Sequence, residues 1–220
     1  AEVMMRLLTR FTMVILSLVG ALSLSAQNLT PWQRLEKGNT AFQGNSITFD
    51  NLIQERKDHV KGQWPDTIVL SCSDSRVPPE LVFKQSIGEI FLVRSAGNVT
   101  DTDGIASMEY ALTRPPDEKW DPKLLVVLAH EDCGAVKTAI ATGESPSPNV
   151  THLLRQIRAS FKGACRPGTD CLMTRTRENA EYAVKDLKRH SEIIRKAIDS
   201  GKLRVVVGYY QLASGKVVVW

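Results

Sequence analysis

Five short runs rich in β-branched and other apolar residues lie along the chain, and each predicts a β-strand. Four of the five runs are apolar on both faces, a pattern typical of strands inside a parallel sheet that is covered on both sides. Helical patterns fill the intervals, for example over 104–112 and 178–198. The predicted fold class is therefore α/β, with a mainly parallel central sheet of four strands plus an antiparallel edge strand, flanked by helices. The five runs are 67–70, 90–93, 124–128, 203–207 and 217–219.

The segments at the two ends of this pattern add further elements. Thr30 followed by Pro31 predicts the start of an amphipathic helix, and the Lys-Gly-Asn sequence at 37–39 predicts an interruption of it. A second helix is predicted over 46–62, ending at its last residue, a glycine. The turn-like sequence at 209–215 predicts a hairpin, which makes the last strand antiparallel to its neighbour.

The first part of the chain differs from the rest. Arg6 and Arg10 accompany an apolar stretch over 11–24 that is short for a transmembrane helix and is followed by small residues. This pattern predicts a secretory signal peptide over 1–26 and a single domain over 27–220. An uncleaved membrane anchor and a buried helix of the domain are the alternatives. A cleaved signal peptide predicts a periplasmic or extracellular protein without a stable membrane span.

Length, composition and charge narrow the class of protein. A chain of 220 residues suits one domain with a sizeable core, and its 43% hydrophobic and 24% charged residues are globular values. Four cysteines are too few for a disulfide scaffold. The net charge of +4 comes from scattered residues rather than from a basic run, so we expect no nucleic-acid partner.

Cysteine and histidine follow two of the predicted strands at the point where each strand ends. Cys72 follows the strand at 67–70, and His130 and Cys133 follow the strand at 124–128. Because the carboxyl ends of parallel strands meet at one edge of a sheet, we expect these side chains to converge. Two thiolates and an imidazole suit Zn²⁺, and three protein ligands leave a fourth position open. The alternatives are buried apolar thiols, or a nucleophilic cysteine with His130 as its base.

An acidic and a basic residue lie close to the first cysteine. Asp74 and Arg76 are spaced so that they can form an ion pair in a loop. Asp74 paired with Arg76 is held off the metal and leaves the site open, whereas Asp74 on the metal closes it. The alternative is an ordinary structural ion pair.

Three short motifs carry a resemblance to a known family. They read CSDSR at 72–76, RSAGN at 94–98 and HEDCG at 130–134. In this order they resemble the β-class carbonic anhydrases, and the resemblance covers roughly residues 30–220. The chain departs from the family at Ala129, where a glycine is usual before the histidine.

The resemblance implies a zinc enzyme that hydrates carbon dioxide reversibly to bicarbonate and a proton by means of zinc-bound hydroxide. It implies one Zn²⁺ per chain on Cys72, His130 and Cys133, with Asp74 and Arg76 as a catalytic dyad that gates the fourth zinc position. It also implies assembly as a homodimer or a multiple of dimers. Two alternatives use the same residues: a zinc hydrolase of the same family acting on CS2 or COS, and a non-catalytic structural zinc protein.

The resemblance also points to contacts with substrate. Gln63 resembles a glutamine that binds a substrate oxygen in part of the family, with an ordinary loop residue as the alternative. Gly97 and Asn98 are expected to bring their backbone close to the metal. The alternative is that they form a plain turn. The other histidines, His59, His152 and His190, are expected on the surface or on helices rather than in a proton relay.

The two remaining cysteines form a separate pair. Cys165 and Cys171 flank a turn-prone segment containing Pro and Gly, and no second metal motif lies near them. We therefore predict a disulfide between them, which agrees with the predicted secretion because disulfides persist in oxidising compartments. Two reduced surface thiols are the alternative.

Overall fold

A five-stranded sheet lies at the centre of the computed structural model, with the strand order β2-β1-β3-β4-β5. The model describes residues 29–46, 48–49, 51–114, 120–141, 145–165 and 168–220, so the predicted signal peptide lies outside the described residues. The first four strands are parallel and the fifth is antiparallel to its neighbour, which confirms the predicted architecture. The strands are β1 Thr67–Cys72, β2 Ile90–Ser95, β3 Leu124–His130, β4 Arg204–Tyr210 and β5 Val217–Val219.

Alternate residues of the central strands enter two separate hydrophobic cores. On β1, Ile68 and Leu70 belong to the core on one face of the sheet, and Val69 belongs to the core on the other. This alternation follows from the two-residue period of a strand. Every residue of β1 and β3 is buried, whereas β2 lies at the edge of the sheet and its apolar residues are only half-buried.

Helices cover both faces of the sheet. The helices α4, α7 and α8 pack on the face that includes Leu70, and α1 and α3 pack on the face that includes Val69. Short 3₁₀ turns occupy His59–Lys61 and Ala96–Asn98. Within the described ranges, no helix is both long and apolar enough to cross a membrane. The helices are α1 Pro31–Gln43, α2 Leu52–Asp58, α3 Pro79–Val82, α4 Thr102–Thr113, α5 Gly134–Ile140, α6 Pro148–Arg158, α7 Cys171–His190 and α8 Glu192–Asp199.

The first helix is continuous, so the predicted interruption at 37–39 is wrong. It begins with a capping box between Thr30 and Gln33, and it runs unbroken through Gly38. A Cβ atom at Gly38 would overlap the backbone carbonyl of Phe83. The glycine therefore permits close packing and does not end the helix.

Two other helix boundaries differ from the sequence pattern. The helix predicted over 46–62 is present only as α2 and the following 3₁₀ turn, and α2 buries none of its residues. The pattern over 178–198 is divided at Ser191, whose hydroxyl caps α8 by accepting a hydrogen bond from Ile194 N at 3.0 Å. The longer α7 begins earlier than the pattern indicated, at Cys171.

Candidate metal centre

Three potential metal ligands lie together at the carboxyl edge of the sheet. Cys72 is the last residue of β1, and His130 is the last residue of the neighbouring parallel strand β3. Cys133 follows three residues later, immediately before α5. One ligand atom from each of the three residues lies within 4.8 Å of the other two, and all three side chains are buried. Convergence at one sheet edge, predicted from the sequence, is therefore observed.

The donor atoms fit a metal ion such as Zn²⁺. His130 Nδ1 lies 2.8 Å from the carbonyl oxygen of Glu131, and a carbonyl can only accept, so the proton lies on Nδ1. That tautomer leaves a lone pair on Nε2, which is buried and has no hydrogen-bond partner. A buried imidazole nitrogen without a hydrogen-bond partner lies beside two thiols. These three atoms can all act as ligands of a thiophilic cation such as Zn²⁺.

The two sulfurs affect each other's acidity. Hydrogen bonding with Cys133 lowers the pKa of Cys72 against the opposing effect of burial. The Cys72 sulfur and burial raise the pKa of Cys133. Both sulfurs bind a cation as thiolates, so a proton held by the pair leaves when a cation binds.

The turn after β2 approaches the first cysteine. The backbone N–H of Gly97 donates to Cys72 Sγ at 3.2 Å. Gly97 and Asn98 both have positive φ, of 68° and 44°. Gly97 thus reaches the centre through its backbone N–H. The atom that it contacts is a sulfur of the centre, and its contact with substrate stays a prediction. Asn98 is buried, and its side-chain nitrogen has no hydrogen-bond partner.

Asp74 and Arg76 form a bidentate ion pair beside the three donors. Asp74 Oδ1 accepts from the backbone N and the Nε of Arg76, both at 2.9 Å, and Oδ2 accepts from Nη2 at 2.8 Å. These hydrogen bonds lower the pKa of Asp74 to about 2. Asp74 Oδ2 also lies 3.9 Å from His130 Nε2, so this oxygen faces the donor group. Arg76 connects the two motifs, because its Nη2 also donates to the carbonyl oxygen of Asp132 at 3.2 Å.

An arginine to which the sequence analysis gave no role supports the loop after β1. Arg94 donates from Nε to the carbonyl of Cys72 at 3.0 Å and from Nη2 to the carbonyl of Asp74 at 2.7 Å. It is the register partner of Ser71 on the neighbouring strand. The sequence signal for this role is a charged residue near the end of an otherwise apolar strand.

Gln63 and the other histidines lie on exposed or half-buried parts of the described chain. Gln63 is exposed four residues before β1, whereas Cys72 is the last residue of that strand, and a contact of Gln63 with substrate stays a prediction. His152 and His190 are exposed on α6 and α7, and His59 is half-buried with its ring against Trp64 at 5.3 Å between centroids.

The departure from the family pattern beside His130 is accommodated. Ala129 is 1% exposed and belongs to the same core as Leu70. Its methyl group fills space between packed side chains. The extra carbon therefore does not displace the histidine that follows it.

Cys165 and Cys171 are joined by a disulfide, which confirms the prediction. Their Cα atoms are 5.6 Å apart, and the bridge connects a loop to the first residue of α7. Arg175 holds the same loop by donating to the carbonyl oxygens of Lys162 and Gly163. The four cysteines thus divide into a free buried pair and a disulfide.

Sequence comparison identifies relatives across most of the chain. The profile of the family described as Carbonic anhydrase matches residues 67–217. A carbonic anhydrase of Mycolicibacterium smegmatis is 32% identical over 192 residues, covering 84% of this chain and 90% of that protein. Carbonic anhydrase 2 of Mycobacterium tuberculosis is also 32% identical over 192 residues, covering 86% of this chain and 90% of that protein.

Solved structures share the fold. A β-carbonic anhydrase of Coccomyxa, solved with acetazolamide, has a TM-score of 0.68 at 23% identity and covers 88% of this chain and 86% of that one. One of two tetrameric β-carbonic anhydrases of Sordaria macrospora has a TM-score of 0.65 at 21% identity and covers 83% and 93%. At these identities the similarity establishes the fold.

Proposed function

The chain belongs to the β-class carbonic anhydrase family, and from that premise we propose that it catalyses the reversible hydration of carbon dioxide to bicarbonate and a proton. The observation that carries the proposal is the convergence of Cys72, His130 and Cys133, whose donor atoms lie within 4.8 Å of one another at the edge of the sheet. These three residues would hold one Zn²⁺. Zn²⁺ bound there supplies a Lewis acid that increases the acidity of water at the open position.

The carboxylate of Asp74 orients the attacking water in this proposal. Two thiolates at this site would offset the charge of a bound Zn²⁺, so water there would be less acidified than at a site made of neutral ligands. A nearby acceptor for the water proton offsets that deficit. Asp74 Oδ2, which faces the histidine nitrogen at 3.9 Å, is placed to accept a hydrogen bond from the water and to align its oxygen with the carbon of carbon dioxide.

Arg76 sets the position of that carboxylate. Its guanidinium and its backbone N–H together occupy Oδ1 and one side of Oδ2 of Asp74. We propose that the pair gates the fourth coordination position: Asp74 held by Arg76 leaves this position to water, and Asp74 released from Arg76 blocks it. The bond from Arg76 to the carbonyl of Asp132 supports this role, because it keeps the guanidinium fixed between the two motifs.

Apolar side chains surround the sulfur donors. Val99, Val136 and Ile157 are buried in one cluster with Cys72 and Cys133. Such a wall excludes bulk water and strengthens the electrostatic interactions of the site. It is also compatible with an uncharged linear substrate such as carbon dioxide.

The test is zinc content measured together with carbon dioxide hydration by stopped flow. We expect about one zinc per chain and rapid hydration, with both lost in Cys72→Ser because a hydroxyl is a poor ligand for zinc. A matched control is the double variant Cys165→Ser/Cys171→Ser, which removes two sulfur atoms elsewhere and keeps both properties. Zinc binding with turnover of CS2 or COS but without hydration would contradict the proposal in favour of a different hydrolase. Zinc binding without any exchangeable water would indicate a structural site.

We also propose that the protein acts in the periplasm or outside the cell, with residues 1–26 as its signal peptide. The disulfide supports this location, because such bonds rarely persist in a reducing cytosol. Expression of the full chain, fractionation and N-terminal sequencing test it. Recovery of uncleaved protein from the cytosol would contradict it.

Assembly as a homodimer or a multiple of dimers is a further part of the proposal. Support comes from the tetrameric β-carbonic anhydrases of Sordaria macrospora, which share the fold. Light scattering coupled to size-exclusion chromatography gives the molar mass directly. A monomer at micromolar concentration would contradict this part.

A further inference from the structure

The turn Ala96–Asn98 determines which backbone group faces the sulfur of Cys72. The Gly97 N–H donates to this sulfur at 3.2 Å, and Cys72 is 4% exposed. In a buried environment, a hydrogen bond to a thiolate stabilises its charge and orients its remaining lone pairs. The position of this N–H therefore affects how well the sulfur binds a cation.

The local sequence constrains the turn only in part, through a hydrogen bond that Ser95 Oγ donates across it to the carbonyl oxygen of Val99 at 2.7 Å. Gly97 has φ of 68°, and glycine allows more rotation of the peptide groups on either side than any other residue. Asn98 follows with a second positive φ, of 44°, a conformation that costs energy for a residue with a side chain. A contact from elsewhere in the chain adds to this local restraint.

Asn179 supplies such a contact from α7. Its Nδ2 donates to the carbonyl oxygen of Gly97 at 2.7 Å, across 82 positions of sequence. Asn179 is 4% exposed, so water does not compete for this bond. Its neighbour Ala180 is fully buried in the core on one face of the sheet. Asn179 therefore projects from a rigid support.

We propose that Asn179 is a positioning residue for the metal centre. Its amide fixes the peptide group that follows Gly97, which limits rotation at this glycine and so helps to keep the N–H of the preceding peptide group directed at the Cys72 sulfur, where it favours zinc binding. Asn179 acts through Gly97 and does not bind the metal. The inference rests on the proposed function, because it requires Cys72 to be a zinc ligand.

The test compares zinc affinity and the spectrum of the cobalt-substituted protein for wild type and Asn179→Asp. A carboxylate has the shape of the amide but offers no donor to the Gly97 carbonyl. We expect zinc affinity, measured by competition with a chelator, to fall about tenfold or more. We also expect a shift of the sulfur-to-cobalt charge-transfer band, because the hydrogen bond to Cys72 is altered. Asn179→Ala, which introduces no charge, is measured in the same way and replaces the first variant if that one does not fold.

Asn39 on α1 offers a matched control. It is also 4% exposed, and its Nδ2 donates to the carbonyl oxygens of Val82 and Gly215, neither of which belongs to the turn Ala96–Asn98 or to the donor group. Asn39→Asp therefore loses stability by the same kind of change, but it should keep the wild-type zinc affinity and cobalt spectrum.

Three outcomes would overturn the inference. Wild-type affinity and spectrum in the Asn179 variants would show that the residue is merely structural. An equal loss of affinity in Asn39→Asp would show that zinc binding reports general stability. Failure of the wild type itself to bind zinc would overturn the proposed function as well, and it is recognised before any variant is compared.

Discussion

Removal of the Cys165–Cys171 disulfide is expected to lower stability by an amount that follows from its position in sequence. The two cysteines are separated by 6 positions, so the bridge closes a very short loop. In the chain-entropy description, a loop of this length restricts the unfolded chain by about 2.4 kcal/mol at 25 °C. Arg175 still holds the loop through Lys162 and Gly163, so the folded state of Cys165→Ser/Cys171→Ser should change little and the loss should appear in full.

Urea denaturation of the zinc-loaded proteins, followed by far-ultraviolet circular dichroism, measures this loss. A domain of this size should also melt about 5–10 °C lower. Serine substitution is preferable to a reductant. Loss of metal exposes Cys72 and Cys133 to oxidation, and a reductant would then act on these two residues as well as on the disulfide. Mass spectrometry first establishes that the wild type contains the disulfide. An unchanged urea midpoint in the double variant would then refute the reasoning that the bridge acts on the unfolded chain.

Three further predictions concern the metal centre. Arg76→Gln should reduce carbon dioxide hydration by about 100-fold or more while leaving zinc content unchanged, since Asp74 loses its orienting partner; hydration at the wild-type rate would contradict the dyad. Gly97→Ala should cost about 1–2 kcal/mol in urea denaturation, because φ is 68° and the added Cβ lies 2.8 Å from Ile157 Cδ1. Because the ion pair lowers the pKa of Asp74 from its ordinary 3.8 to about 2, its contribution to stability is complete above about pH 4 and is lost as the pH falls towards 2. Unfolding measured against pH should show this decline in wild type and a weaker one in Arg76→Gln.

The strands and the donor group could be predicted from the sequence because their causes are local. Apolar β-branched runs specify β1 and β3 by themselves. Once these strands are placed in a parallel sheet, geometry requires Cys72 and His130 to share an edge. The disulfide was predictable for the same reason, since only a short turn separates its cysteines.

The predictions that were wrong or missing depend on contacts between distant parts of the chain. Gly38 reads as a helix breaker until the carbonyl of Phe83 is known to lie against it. Nothing near Asn179 indicates that its amide reaches Gly97. The division of the long helical pattern at Ser191 does have a local cause. Serine is a common N-cap residue, so the sequence itself contains a signal for the start of a new helix there.

The donors at the ends of β1 and β3 connect metal binding to the order of folding. Cys72 and His130 end neighbouring parallel strands, so pairing of β1 with β3 brings these two donors together. Cys72 and His130 are 58 positions apart, and a chain that has made only β1 and β2 has one of the three ligands. Zinc would therefore bind the assembled sheet rather than act as a template for it. Its binding free energy then adds to the stability of the β1–β3 pair, and chelators should loosen the carboxyl ends of these strands first.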